Sequence, residues 1–255
     1  MKIVVCLKQT FDTEAKIVIN ADGQIERKGV SLIMNPYDEF AVEEGLKLKG
    51  KDGEVTVVTA TGPEGQDALR QALAMGADKA ILVDPGRADI DEFTTATILA
   101  KAIAGLEYDL IIGGFRAIDD GSAQVAGRVA EILGLPVVNV VTKLEVADGK
   151  AVATREIEGG SEVIEVPLPA VITAQKGLNE PRYPSMKGIM QAKKKPMQKT
   201  TAAELGLDEA ALAPKVKALS FTLPSARAAG RLVPGEAPEA ARELARLLRE
   251  EAKII

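Results

Sequence analysis

The sequence predicts an α/β protein built on a doubly wound, mainly parallel sheet with crossover helices. From Lys2 to about Val141, short β-branched runs alternate with helical patterns, as strands joined by crossover helices require. Two of these runs, IVVCL and AILV, are apolar at every position. Such runs are typical of parallel strands that helices cover on both faces.

Local signals predict each element of this first part. The expected strands are, in chain order, KIVVCL, EVTVVTA, KAILV, DLIIGG and VVNVV. The ADG sequence at 21–23 predicts the turn of a β-hairpin after the first strand. Asn35 as N-cap, Pro36 at the first helical position and Gly50 just past the end bound the first crossover helix. We expect further helices over 63–75, 91–106 and 121–133.

Beyond residue 141 the pattern changes to strands alone, which predicts an antiparallel β extension. Turn signals with glycine stand at 148–149 and 159–160. Pro167 and Pro169 would confine the last of these strands to a sheet edge or a break, because proline donates no ladder hydrogen bond.

The remaining chain divides into a segment without periodicity, 177–197, and a tail, 200–255. In the tail we expect a short helix, a strand at 216–222 and a basic amphipathic helix over 238–253, packed onto a neighbouring protein. The predicted domains are therefore an α/β domain, 1–199, and a C-terminal arm, 200–255.

Composition excludes several classes of function. The 255 residues contain no histidine and one cysteine, which excludes Ser-His-Asp and Cys-His hydrolases, His-ligated metal sites and an internal disulfide. The net charge of −5 gives no reason to expect a nucleic-acid partner. No apolar run approaches the roughly 18 residues that span a bilayer, so we expect a cytoplasmic protein without membrane insertion. Any redox or transfer chemistry would come from something bound to the chain.

A ligand site is expected where the parallel strands end. Ligands of open α/β sheets bind beyond the carboxyl ends of the strands, at the point where strand order reverses. There, FRAIDDGSAQ carries aspartates suited to ribose hydroxyls and leads into a helix start suited to phosphate. Neither GxGxxG nor a P-loop motif occurs. On the residues alone, a nucleotide site and an ordinary helix cap both remain open.

The segment 177–197 predicts a docking surface. It combines Met186, Ile189 and Met190 with the lysine run 193–195, and apolar anchors with a cationic fringe are typical of protein-binding loops. An ordinary covered loop followed by a solvated lysine run remains the alternative.

Several segments together resemble the β (small) subunit of the electron-transfer flavoproteins. They are NPYDEFAVEEGLKL, QALAMGADKAI, FRAIDDGSAQ, TREIEGGSEVIEVPLPAVIT and LNEPRYPSMKGIMQAKKKP, in order between Lys2 and about Leu207. The resemblance implies an adenine-nucleotide-binding, Rossmann-like domain that pairs with a larger α subunit. It implies FAD held mainly by the α subunit, AMP bound structurally, docking of acyl-CoA or related dehydrogenases, and electron delivery to a membrane quinone oxidoreductase. The chain would be an electron-carrier subunit and not an enzyme by itself.

The resemblance also assigns residues, with no catalytic and no metal-ligating residue among them. The nucleotide contacts map onto Cys6, Asn35, Pro36, Tyr37, Asp38, Thr61, Gly114, Phe115, Arg116, Ala117, Ile118, Asp119, Asp120, Gly121, Ser122, Ala123, Gln124 and Val125. Phe11, Asp12 and Thr13 are expected near the flavin. The recognition loop, 174–196, would dock partners through Pro184, Met186, Ile189, Met190, Lys193, Lys194 and Lys195, with Met186 as the anchor.

Two alternatives accompany this interpretation. The AQV sequence at 123–125 is more like the bifurcating branch of the family, which holds a second FAD in this pocket and oxidises NADH. Val125 stands where one non-bifurcating branch has threonine. The bifurcating branch, however, tends to read IDGDT where this chain has IDDGS at 118–122, so the motif is mixed, and we favour AMP. The sheet alone would also suit a nucleotide-binding regulator of the universal-stress type, but such a protein would not explain the segment 177–197 or the tail.

Overall fold

The computed structural model describes residues 1–227 and 229–255. The strands are β1 (Lys2–Cys6), β2 (Gln9–Phe11), β3 (Leu32–Met34), β4 (Glu54–Ala60), β5 (Lys79–Asp84), β6 (Leu110–Gly114), β7 (Val137–Ala147), β8 (Lys150–Ile157), β9 (Gly160–Pro167), β10 (Ala170–Ala174) and β11 (Met197–Thr201). The helices are α1 (Pro36–Leu48), α2 (Gln66–Met75), α3 (Glu92–Ile103), α4 (Val125–Leu133), α5 (Met186–Ala192) and α6 (Ala237–Glu250).

One nine-stranded sheet organises the chain, in the order β11-β5-β4-β1-β6-β10-β7-β8-β9. The strands from β11 to β7 are parallel, and the sheet continues with β8 antiparallel to β7 and β9 antiparallel to β8. Strand order reverses at β1, which lies between β4 and β6. The predicted α/β fold with a doubly wound sheet and an antiparallel extension is confirmed.

Apolar cores cover both faces of the sheet. Ile3 and Val5 of β1 belong to the core under α1 and α2, whereas Val4 and Cys6 belong to the core under α3 and α4. Successive strand residues point to opposite faces, so a strand covered on both sides must be apolar at every position. This is the physical reason for the continuous apolar runs in the sequence.

The first predicted hairpin forms only in part. The turn exists, with Gly23 at φ +73° and the side chain of Asn20 accepting hydrogen bonds from two backbone N–H groups. Its flanks are joined by a single bridge between Ile19 and Ile25. The strands that pair are instead β2 and β3, outside the turn.

The helix predicted to start at Gly121 begins four residues later, at Val125. Gly121 and Ala123 have φ of +65° and +56°, in the left-handed region. A right-handed helix cannot pass through such residues, so the polar run before Val125 is a loop.

Of the two outcomes expected from Pro167 and Pro169, a sheet edge or a break, the structure shows the break, because β9 ends at Pro167 and β10 starts at Ala170. β10 is parallel and lies inside the sheet, between β6 and β7. Pro167 ends β9, the edge strand, and Pro169 stands just before β10. Neither proline therefore removes a donor from the interior ladder.

Two expectations for the C-terminal part also need correction. The segment 177–197 is not structureless, since it contains the helix α5. Residues 216–222, all described, form no strand, and the additional strand is β11, which pairs with β5 and runs across the expected domain boundary at 199. The amphipathic helix is confirmed as α6. None of the helices in the described part of the chain is long and apolar enough to span a membrane.

Candidate functional site

A cavity of about 580 Å³ lies at the carboxyl ends of β1, β4, β5 and β6. It is centred on the point where strand order reverses, between β1 and β6. This is the position at which open α/β sheets bind their ligands.

Asp38 joins the ends of the two strands at this point. Its buried carboxylate accepts hydrogen bonds from the backbone N–H of Lys8, 2.7 Å away, and of Gly114, 2.9 Å away. Burial raises the pKa of Asp38 to about 7, although these hydrogen bonds oppose the shift. Gly114 has to be glycine, because a Cβ there would stand 2.4 Å from Asp38 Oδ1 and 2.9 Å from the carbonyl carbon of Tyr37.

Asn35 fixes the loop that follows β6. It stands at the N-cap position of α1, but its side chain forms no capping bond within the described residues. Its Nδ2 donates to the Arg116 carbonyl at 2.9 Å, and its Oδ1 accepts from the Ile118 N–H at 3.2 Å. The loop is held further by the Arg116 guanidinium, which lies over the Tyr37 ring of α1, 5.7 Å from its centre.

Lys8 links the other end of this loop to β1. Its Nζ lies 2.8 Å from Asp119 Oδ1 and 2.7 Å from Asp120 Oδ2. The two carboxylates raise the pKa of the ammonium against the effect of its burial, and Lys8 lowers the pKa of Asp120. Asp120 also accepts from the backbone N–H of Ser122 at 2.9 Å.

The start of α4 faces the cavity and is open to an anion. Gln124, at the N-cap position, forms no side-chain capping bond among the described residues, and Val125 and Ala126 line the cavity. The first-turn N–H groups of a helix lack intrahelical acceptors and carry the positive end of the helix dipole. A phosphate or carboxylate of a ligand can therefore bind there.

The short helical turn Pro63–Gly65, just before α2, differs from the start of α4, because Glu64 already supplies a carboxylate there. Thr61 Oγ1 donates to Glu64 Oε1 at 3.3 Å, and a Cβ on Gly62 would lie 2.5 Å from Glu64 Oε2. This end of the cavity presents the negatively charged Glu64 side chain as an acceptor. It therefore suits the neutral donor groups of a base or a sugar.

The wall beside β1 and β2 contains two further polar groups. Thr10 is 1% exposed and lines the cavity, and its hydroxyl has no hydrogen-bond partner among the residues that the structure describes. Burial raises the pKa of the Cys6 thiol to about 12, so Cys6 contributes a neutral wall. An unpartnered buried hydroxyl costs free energy that a ligand group can recover.

Most of the predicted nucleotide residues meet at this cavity. Those that line it are Cys6, Asn35, Asp38, Thr61, Gly114, Phe115, Arg116, Ala117, Asp119, Asp120, Ser122, Ala123, Gln124 and Val125. Pro36, Tyr37, Ile118 and Gly121 are not lining residues. Of the residues predicted near a flavin, Phe11 lines the cavity, with Arg27 stacked 5.7 Å from its ring centre, whereas Asp12 and Thr13 lie outside.

Sequence reasoning missed Lys8, Thr10 and the loop after β5, which contributes Arg87 and Ala88 to the cavity. The sequence contained one usable signal, because VDPGRAD follows a predicted parallel strand and must end at the same rim as the other strands.

The predicted docking residues lie together on and around α5. Met186, Met190 and Ile189 are 77%, 69% and 45% exposed, Lys193 and Lys194 are exposed, and Pro184 is half-buried. Ser185 caps the helix by accepting from the Gly188 N–H at 3.0 Å. A Cβ on Gly188 would lie 2.4 Å from the Ala74 carbonyl oxygen, so glycine there lets α5 pack tightly against α2.

Polar contacts hold this segment on α1 and α2. The Arg182 guanidinium forms a bidentate pair with the buried Glu43 at 2.7 and 2.8 Å, and Asn179 donates to Glu44 at 2.8 Å. Lys195 differs from its lysine neighbours, because its Nζ donates to the carbonyls of Leu73 at 3.0 Å and Ala77 at 2.6 Å. Its side chain caps the end of α2 and is half-buried.

Comparison with known proteins places this fold and cavity in one family. The family model for the electron transfer flavoprotein domain matches residues 22–205. The electron transfer flavoprotein subunit beta of Syntrophomonas wolfei is 52% identical over 100% of this chain and 98% of its own length. That of Bacillus subtilis is 47% identical over the full length of both chains. The caffeyl-CoA reductase-Etf complex subunit CarD of Acetobacterium woodii is 38% identical over 92% of each chain. The chain therefore belongs to the electron transfer flavoprotein family, among its β subunits.

Proposed function

We propose that this chain is the β subunit of a simple, non-bifurcating electron shuttle. It binds AMP as a structural ligand in the cavity, supports an FAD held mainly by the α subunit, and docks the dehydrogenases that supply electrons. A membrane quinone oxidoreductase then receives these electrons. Family membership supports the carrier role and the α partner, and the finer assignments rest on the arguments that follow.

The cavity carries the proposal, because its groups suit a mononucleotide. Phosphate would occupy the N–H groups at the start of α4, which have no side-chain cap in the described chain. Asp119, held by Lys8 beside Asp120, supplies an acceptor for a ribose hydroxyl, and the neutral Cys6 wall suits a base. Gly114 keeps the floor free of a side chain. The Glu64 carboxylate at the second helix start disfavours a further phosphate at that end, which favours AMP over a dinucleotide.

Flavin supplies the one-electron and two-electron chemistry that a histidine-free chain lacks. The residues of this chain would only support and shield the flavin. Phe11, packed under the Arg27 guanidinium at the cavity edge, is the candidate for contact with its ring, with Asp12 and Thr13 beside it.

Docking would use α5. Three exposed apolar side chains on one short helix, next to Lys193 and Lys194, form a compact anchor with a cationic fringe. The name of the relative CarD places that protein in a complex with a reductase of a CoA thioester. An acyl-CoA or related dehydrogenase is therefore the partner class that we assign to this chain.

Nucleotide content tests the proposal. The chain is produced with its α partner, the complex is denatured, and the released nucleotides are quantified by chromatography. One FAD with one AMP per complex is expected. Two FAD without AMP would replace the simple shuttle by the bifurcating alternative, and FAD alone would refute a nucleotide role for the cavity.

A matched pair of variants ties the result to the cavity. Gly114→Ala places a Cβ against Asp38 and the Tyr37 backbone, and we expect loss of AMP with FAD retained. Gly160→Ala, at the first residue of β9 where a Cβ meets no described atom within 4 Å, should retain both.

A further inference from the structure

The loop 117–124 carries two adjacent carboxylates at the mouth of the cavity, and a single lysine from the opposite side engages both. Lys8 follows β1, more than 100 positions away in the sequence, and its Nζ lies 2.8 Å from Asp119 and 2.7 Å from Asp120. All three residues line the cavity. The three together are called the Lys8 clasp below.

The carboxylate atoms in the clasp have different tasks. Asp120 uses both oxygens within the protein, since Oδ2 accepts from Lys8 and Oδ1 accepts from the Ser122 N–H. Asp119 uses Oδ1 for Lys8 and the Asp120 N–H. Its Oδ2 has no partner in the described part of the chain, and the Asp119 side chain as a whole is 20% exposed. Asp119 Oδ2 is thus the acceptor left for a ligand hydroxyl.

Without Lys8, the negative charges of Asp119 and Asp120 would repel an anionic ligand. Asp119 and Asp120 stand a few residues before the open start of α4, where a phosphate would bind. Like charges repel over such short distances where solvent is partly excluded. Lys8 reduces the charge of the clasp from −2 to −1 and fixes both side chains in one geometry.

We propose that Lys8 is a positioning residue for the nucleotide, acting through Asp119 and Asp120 and not by contact with the phosphate. It neutralises one of the two loop charges and holds Asp119 so that its free oxygen meets a ribose hydroxyl. This inference rests on the proposed binding of AMP in the cavity.

The test uses the complex with the α subunit and AMP as the probe. Lys8→Met removes the cation while keeping an unbranched side chain, and we expect AMP to dissociate about tenfold faster, because two part-exposed ion pairs are lost. The double variant Lys8→Met/Asp120→Asn restores the charge of −1 and keeps the Asp119 carboxylate, which still accepts from the residue 120 N–H, so it should recover much of the loss. Asparagine removes the charge of Asp120 but keeps an oxygen that accepts from Ser122.

Lys150→Met is the control, since it breaks a lysine–glutamate pair of 2.7 Å on the β extension, outside the cavity lining. It should leave AMP release unchanged. FAD content, measured for every variant, reports whether the complex is intact.

The outcomes separate the hypotheses. If Lys8→Met releases AMP at the unaltered rate, the clasp has no positioning role. If the double variant Lys8→Met/Asp120→Asn releases AMP as fast as Lys8→Met or faster, Lys8 does not act by neutralising a loop carboxylate, and the inference is wrong. If the unaltered complex carries no AMP, the proposed function fails, and this inference fails with it.

Discussion

Met186 gives the sharpest test of the docking surface. Its side chain is 77% exposed at the start of α5. Burying a methionine side chain in a partner's pocket contributes about 2 kcal/mol, and most of this is lost on truncation to alanine. Met186→Ala should therefore weaken docking of an acyl-CoA dehydrogenase roughly tenfold to thirtyfold. Because the side chain is exposed and alanine is a good helix former, stability should change by no more than about 0.5 kcal/mol.

The assay is flavin reduction in the complex, driven by dehydrogenase and its substrate at increasing concentrations of the complex. KM should rise with little change in kcat, since the anchor supports association and not electron transfer within the docked pair. Met186→Leu preserves the volume and should behave as the unaltered chain. Val163→Ala, on β9 and 70% exposed in the unaltered chain, is the control for loss of any surface apolar group. An unchanged KM for Met186→Ala, or an equal rise for Val163→Ala, would refute the anchor role.

Two further predictions concern buried carboxylates. Arg182→Gln leaves Glu43, 5% exposed, without its bidentate partner, and should lower the free energy of unfolding by about 1–3 kcal/mol. Amide hydrogen exchange should become faster between 179 and 192, and unchanged exchange would contradict the prediction. Restored stability in the double variant with Glu43→Gln would attribute the loss to the unpaired charge of Glu43. Burial raises the pKa of Asp38 to about 7, so the folded state holds this proton between about pH 4 and 7 while the unfolded chain releases it. Stability should therefore fall as pH rises through this window, by at most about 4 kcal/mol, and level off above pH 7. Unfolding free energies measured against pH for Asp38→Asn should lack this slope, and an identical slope in both proteins would mean that another group causes it.

The strands of the parallel sheet were predictable because their signal is local. A run such as IVVCL is apolar at every position because helices cover both faces of the strand. Five consecutive residues are therefore enough to indicate such a strand. The place of β10 was not predictable in the same way. Its sequence AVITA is buried throughout, but the prolines before it suggested an edge or a break, and only the packing of the whole sheet determines that it enters between β6 and β7.

The site could be located from the sequence, but the roles of its residues could not. The rim of the sheet and the loop 114–125 follow from strand order and motif. Asp38 looks like an ordinary acidic residue in the first turn of a helix, yet its carboxylate bridges two strands. Lys195 looks like one of three solvated lysines, yet it donates to the carbonyls of Leu73 in α2 and of Ala77 just beyond it. Both roles depend on contacts between residues far apart in the sequence, and no local pattern reports them.

Helix α1 explains how the cavity and the docking surface belong to one rigid unit. Its first turn carries Asp38, which joins the strand ends under the cavity. Five and six residues later, Glu43 and Glu44 hold the docking segment through Arg182 and Asn179. At 1.5 Å per residue, these two sets of contacts are only about 8 Å apart along the helix axis. AMP bound in the cavity as we propose would tighten the loops around the start of α1 and thereby also fix the base on which α5 is mounted. This would give a ligand without redox chemistry a physical role in an electron carrier.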